Sequence, residues 1–411
     1  MDFFTVITPD DAKKIIAANW SCRRQVVIKA LLDCLGMTLA KEVVAMEDVP
    51  GFAKSTVDGY GVIARNTFGA SESLPAYLEL SRQVEMGKPY AGELLEGQGV
   101  KVPTGGMLPL GADAVVMFEQ TEGMGEDLLA VLKSVAPGEN VILEGEDAAA
   151  GAIILPEGHL LKPVDLGILA AVGQTKVAVW EPVRVGIIST GDEIVPPETP
   201  TGMGQVKDIN SYALFGFIRE AGGQAKQYGI IPDDYQLLKE TIEKSVEENH
   251  ITLVSGGSSV GTRDFTWRIL DELGEPGILF HGISIKPGKP TLAAVAGGKL
   301  IFGLPGHPAS ALTAFQLLVA DLVKWGGYQT CPLMEEKNKI KARLTKGVAS
   351  ATGRKDYIPV TLTKEGEEWV AAPLLGKSGL ILPIVKSDGY LVIPLHSGGL
   401  EPGEEVSITI W

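Results

Sequence analysis

The chain has 411 residues, 45% hydrophobic and 21% charged, a composition that excludes disorder as the dominant state and, at roughly 100–200 residues per domain, implies two to four domains. Lys and Arg number 36 against 51 Asp and Glu, a net charge of −15, which argues against nonspecific binding to nucleic acid or an anionic membrane but leaves room for a small anion in a local cationic pocket. Three cysteines (Cys22, Cys34 and Cys331) with no Cys-x-x-Cys pair, and no His-Glu-x-x-His, disfavour structural zinc and a disulfide framework; with no leader and no apolar run of about 18 residues, a soluble cytoplasmic protein is expected.

The first predicted element is a helix with Thr8 as N-cap, Pro9 in its first turn, and Asp10 and Asp11 at the positive end of the helix dipole. A second helix is predicted over 21–36, closed by Gly36. From about 48 to 145, short alternating segments such as Ala76-Tyr77-Leu78-Glu79-Leu80 lie between Gly- and Pro-rich turns and predict a small all-β region. From about 174 to 327 the pattern becomes strand-helix alternation. The apolar runs at 183–188, 227–231, 251–254 and 300–302 are followed by helical patterns near 209–221, up to 248, near 263–273 and up to about Trp325. That alternation predicts a parallel sheet with right-handed crossovers. Beyond about 331 the strand-and-turn texture returns, with apolar stretches Leu380–Val385 and Tyr390–Pro394.

Open parallel sheets bind ligands beyond the carboxyl ends of their strands, and four loops meet that condition. Thr190, Gly191, Asp192 and Glu193 offer a tight turn with two acids suited to hydrated magnesium, or else a solvated strand end. Ser255, Gly256, Gly257, Ser258 and Ser259 leave backbone N–H groups for an anion, with Arg263 and Asp264 just beyond; the bland alternative is a flexible turn before a helix. Lys286-Pro287-Gly288-Lys289-Pro290 holds two ammonium groups close together, which makes best sense around an anion, though two exposed lysines on a turn would read the same. Gly306, His307, Pro308 and Ser310 open the last helix, and His307 is a base, a ligand contact or a satisfied helix-end residue. Outside this sheet, Ser55–Gly61 with Asp58, and Pro103–Gly106 with Thr104, combine hydroxyl, acid and glycine in loops that hairpin turns alone would also explain.

Taken in order, Ser55–Tyr60, Pro103–Val116, Gly145–Asp147, Ser189–Glu193, Asp208–Ser211, Pro232–Asp234, Ser255–Asp264, Lys286–Pro290 and Gly303–Ser310 resemble the molybdopterin molybdenumtransferase family, bacterial relatives of the gephyrin E domain, over nearly the whole chain. The resemblance implies an α/β fold with β-rich domains: a linking domain (1–47 with 145–173), an inserted β-rich domain (48–144), a three-layer α/β domain with a parallel or mixed sheet, similar to the molybdopterin adenylyltransferases (174–328), and a C-terminal β-barrel-like domain (329–411). It implies insertion of molybdate into adenylylated molybdopterin with release of AMP, a magnesium requirement, and an elongated homodimer with sites between one subunit's α/β domain and the other's β-rich region. A molybdopterin adenylyltransferase and apo-molybdoenzymes are the implied partners.

In that reading Lys286, Lys289 and Ser310 take molybdate, the 255–261 loop and Arg263 take the pterin and its phosphate, and Glu193, Asp233 and Asp264, with Asp58, hold magnesium and water. Two departures stand out: His307 where the family commonly has Asn before Pro-Val-Ser, and Thr56-Val57-Asp58-Gly59-Tyr60-Gly61 where many relatives have Ala-Met-Asp-Gly-Tyr-Ala. Both bear on molybdate against tungstate. An adenylyltransferase-like enzyme and a noncatalytic dimeric scaffold are the alternatives.

Overall fold

The computed structural model describes residues 6–125, 127–256, 260–327 and 339–410, and for 260–264 the backbone alone. Residues 1–25 with 181–411 form one compact unit and residues 26–180 a second. Among the described residues no helix is long and apolar enough to cross a membrane.

The second unit contains a six-stranded sheet in the order Ala114–Met117, Gly59–Val62, Gln98–Val102, Ala76–Leu80, Leu128–Val131, Thr121–Gly123, over a core that includes Val62, Leu78, Val116 and Leu129. The helix predicted over 21–36 is not present. Val26–Ala30 is instead a strand paired antiparallel with Lys176–Trp180, followed by a single 3-10 turn, Leu31–Asp33. The β-branched run Val26-Val27-Ile28 is stiff at χ1 and favours the pleated conformation, and the partner strand supplies the pairing that a local reading could not foresee.

In the first unit, Pro9–Asn19 is helical as predicted, with Thr8 accepting from the Asp11 N–H. The sequence reading groups these residues with 145–173. The structure packs Ala12, Ile16 and Trp20 into the α/β core beside Val183, Val185 and Leu318, because residues four apart share one helix face.

The α/β sheet runs Gln224–Ile231, Arg184–Thr190, Ile251–Gly256, Lys299–Leu304, Leu292–Ala296, Pro276–His281. The first four strands are parallel, while Leu292–Ala296 runs against both its neighbours. The sheet is therefore mixed, and it brings the four candidate loops to one end. Its central strands are buried on both faces, Ile187 and Leu253 on one side and Ile188 and Val254 on the other, the pattern of a sheet covered by helices on both faces.

Five C-terminal strands close into a barrel. Lys355–Glu365, Glu368–Pro373, Lys339–Leu344, Glu405–Ile410 and Gly389–Ile393 follow in order, and the last pairs back to the first. Leu380–Val385, read as strand texture, instead contains the short helix Leu382–Val385, with Pro383 in its first turn, where the missing N–H costs nothing.

One buried group makes the fold sensitive to acid. Burial, then the positive charges of Arg184 and Lys299, push the His250 imidazole down to about 4 from its ordinary 6.5, and its Nδ1 accepts from the Arg184 N–H at 3.0 Å. Below 6.5 the unfolded chain takes up a proton that the folded one refuses, so stability falls as pH drops through that window, by on the order of 2 kcal/mol between pH 7 and pH 5. Guanidinium midpoints at the two pH values measure the drop, and His250→Gln flattens it.

Candidate functional site

A cavity of about 860 Å³ lies where the α/β loops meet the C-terminal barrel within the first unit. Lys286 and Lys289 reach it from the turn before Leu292–Ala296, and Gly306, His307 and Ser310 from the start of the helix Pro308–Ala314. The lysine turn is pinned by the Ile283 N–H to the Lys289 carbonyl at 2.9 Å and the Thr291 hydroxyl to the Gly288 carbonyl at 2.7 Å. Sequence reasoning thus brought these five residues to one wall.

It missed the opposite wall, where Arg354, Asp356, Lys377 and Ser378 line the same cavity from the barrel. Ser378 meets His307 directly, Oγ to Nδ1 at 2.8 Å, and its carbonyl accepts from the Ala309 N–H at 3.1 Å. Arg354 Nε donates to Asp356 Oδ1 at 2.9 Å. The signal available was a charged run, Arg354-Lys355-Asp356, directly ahead of the stretch Tyr357–Val360. His307 is exposed, stands at the N-cap of Pro308–Ala314 and is hydrogen-bonded to Ser378, as a satisfied helix-end residue would be, and it also lines the cavity.

The acids gather at the neighbouring strand ends. Asp192 Oδ1 accepts from the Asp233 N–H at 3.0 Å, and Thr190 Oγ1 donates to Asp233 at 3.5 Å. Gly191 has φ +144°, and a Cβ there would stand 2.6 Å from a Glu193 carboxylate oxygen, so only glycine lets that acid fold back over the turn. Burial, then the charges of Asp192 and Glu193, hold the Asp233 carboxyl above its usual range. Above that raised value the anion, crowded by two like charges, costs stability, so Asp233→Asn should gain a little in thermal melts at neutral pH, ~0.5 kcal/mol for a largely solvated cluster.

Asn210 ties two of the loops together: its Nδ2 donates to Ser255 Oγ at 2.8 Å and to the Gly306 carbonyl at 2.9 Å. Asp208, also buried, accepts from Ser189 and Ser211 hydroxyls at 2.8 and 2.7 Å. Gly256 follows Ser255 at the strand end. Gly257, Ser258 and Ser259 lie outside the described residues, as do the side chains of Arg263 and Asp264. In the second unit Asp58 Oδ1 accepts from the Thr104 N–H at 2.8 Å, so two segments singled out separately form one exposed loop pair.

The geometry offers a cationic cavity with hydroxyl donors and, on the same sheet end, an acidic turn. Residues 7–173 match the family described as MoeA N-terminal region (domain I and II), 186–325 match "Probable molybdopterin binding domain", and 341–411 match MoeA C-terminal region (domain IV). The molybdopterin molybdenumtransferase of Staphylococcus epidermidis is 31% identical, covering 92% of this chain and 89% of its own, and that of Bacillus subtilis is 30% identical over 93% and 89%. The crystal structure of the molybdopterin biosynthesis moeA protein from Pyrococcus horikoshii OT3 superposes with a TM-score of 0.83 at 32% identity, covering 99% of this chain and 100% of that one. The chain belongs to the MoeA family, the molybdopterin molybdenumtransferases of molybdenum cofactor biosynthesis.

Proposed function

We propose that the protein inserts molybdate into adenylylated molybdopterin with magnesium-dependent release of AMP, and that it works as a homodimer. The observation that carries this reading is the gathering of Lys286, Lys289, Arg354, Ser310 and Ser378 on one cavity of a chain whose net charge is −15. A tetrahedral dianion needs such local countercharge, and hydroxyl and guanidinium donors fix its orientation. Lys286 and Lys289 supply point charges, Arg354 a planar fork, and the two serines neutral donors.

The acidic turn fits magnesium. Asp192, Glu193 and Asp233 repel one another, and a divalent cation would relieve the charge that holds Asp233 up. Among the described residues no cluster forms a closed cage of three ligands, but hydrated magnesium commonly takes one or two carboxylates and completes its shell with water and substrate phosphate. Bound there, the ion would neutralise charge on the phosphoryl oxygens and on the departing AMP. The backbone around Ser255 and Gly256, held by Asn210, positions the phosphate end of the pterin, with Arg263 and Asp264 assigned the roles the family resemblance implies. Asp58 and Thr104, joined in their own unit, are proposed to contribute to the same chemistry.

A product assay separates this reading from adenylyl transfer. With adenylylated molybdopterin, magnesium and molybdate, AMP and metallated pterin should appear together. Pyrophosphate release from ATP and free molybdopterin would instead mark an adenylyltransferase. Sedimentation equilibrium tests the dimer.

A further inference from the structure

Asp356 is a buried titratable group that this chemistry leaves unused. Its side chain has no exposed surface, and a carboxylate taken fully out of water is costly unless paired. Its pairing is incomplete. Oδ1 accepts from Arg354 Nε at 2.9 Å, while Oδ2 has no hydrogen-bond partner and faces the Lys286 ammonium at 3.7 Å. This placement follows from backbone register. The short strand Ile285–Lys286 pairs parallel with Lys355–Glu365, setting Lys286 against Asp356, and the Lys355 N–H donates to the Ser284 carbonyl at 2.8 Å. The carboxylate therefore stands behind both cations where the α/β domain docks on the barrel.

We infer that Asp356 is a positioning residue of the oxyanion site, holding Arg354 and Lys286 side by side against their mutual repulsion so that an incoming dianion meets a prearranged pair. The inference rests on the oxyanion reading of the cavity. Because Nε of Arg354 is occupied by Asp356, the terminal amino groups are the donors left for a ligand, which fixes the face the guanidinium presents. Asp356 acts through its two cations and does not itself touch the ligand, since a carboxylate facing a dianion would only repel it.

The role has an unusual signature. With Arg354 present, removing the Asp356 charge releases the fork and weakens oxyanion binding. With Arg354 gone, the same carboxylate keeps only Lys286, at 3.7 Å and without a hydrogen bond, and draws that ammonium away from the ligand, so removing it strengthens binding. Four proteins are titrated with sodium molybdate by calorimetry: wild type, Asp356→Asn, Arg354→Ala, and the double variant. The expected result is a Kd raised about 10-fold or more by Asp356→Asn alone and lowered about 3-fold by the same substitution in the Arg354→Ala background, a coupling of opposite sign. A merely structural role would weaken both backgrounds alike. Equal losses in both, or unchanged or tighter binding by Asp356→Asn, would overturn the inference. Should Asp356→Asn fold poorly, the Arg354→Ala pair still reads the sign, because there the carboxylate has already lost its hydrogen-bonded partner and the substitution removes a poorly compensated buried charge. Lys289→Ala is the separate check on the site. If wild type and Lys289→Ala both give no molybdate heat, the oxyanion reading itself falls, and this inference with it; if wild type binds and Lys289→Ala does not, the site stands and the four-protein comparison decides on Asp356 alone.

Discussion

Lys289→Ala should lower kcat/KM for molybdate by about 100-fold or more while leaving the KM for the pterin substrate within about 2-fold. Lys289 is exposed on a turn whose backbone is held by hydrogen bonds from other residues, so the variant should melt like wild type. Its loss removes a full charge from the cavity wall, where it stands beside Lys286 and supplies countercharge to a dianion. The effect should fall mainly on the KM for molybdate if the lysine binds the ion equally well before and during transfer, and on kcat if charge develops beside it. Lys289→Arg should recover part of the loss, as it keeps the charge and changes the shape. Steady-state kinetics with varied molybdate at fixed, saturating pterin makes the measurement.

Gly256→Ala should be the most damaging small substitution in the α/β domain. Gly256 pairs in register with Thr190 on the neighbouring parallel strand, and its φ is +149°. A Cβ there would lie 1.8 Å from the Thr190 carbonyl oxygen, far inside van der Waals contact with backbone that cannot swing away. Strain at φ and the clash together should cost about 2–5 kcal/mol, and relief by moving Thr190 would displace the Gly191–Glu193 turn. Both stability and activity should therefore fall. Gly216→Ala is the control: it lies inside the helix Asn210–Glu220 and a Cβ there meets nothing within 4 Å. Removing backbone freedom from the unfolded chain should stabilise that variant by about 0.5–1 kcal/mol. Denaturant midpoints of the two variants should move in opposite directions.

The α/β domain was legible because its strands are continuous apolar runs bounded by Gly-rich turns, as in Arg184–Thr190 and Ile251–Gly256. Such runs need burial on both faces, and their polar ends mark the ligand side. Local patterning failed where a long-range partner decides conformation. Residues 21–36 carry enough apolar spacing to suggest a helix, but strand pairing with Lys176–Trp180 decides for Val26–Ala30. The reversal of Leu292–Ala296 was equally hidden, since an apolar run does not show strand direction.

The site divides the same way. Lys286, Lys289, His307 and Ser310 sit in short glycine- and proline-rich motifs that announce a loop at a strand end, and the structure brings them to one cavity. Arg354, Asp356 and Ser378 come from the C-terminal region, far along the chain from the α/β loops, with Ser378 in the loop Gly376-Lys377-Ser378-Gly379. Their importance emerges only when Ile285–Lys286 adds to the barrel strand Lys355–Glu365 and carries the lysine turn beside them. His307 against Ser378 likewise places the departure from the family's usual Asn on the cavity wall.

The most direct test is single-turnover conversion of adenylylated molybdopterin by the purified protein with magnesium, comparing molybdate, tungstate and no oxyanion while AMP and metallated pterin are followed together. Insertion at the cationic cavity predicts AMP release that depends on the oxyanion and matches metallated pterin mole for mole, with the faster oxyanion identifying the preferred substrate. AMP release at the same rate without any oxyanion, or no release from folded, dimeric protein, would contradict it.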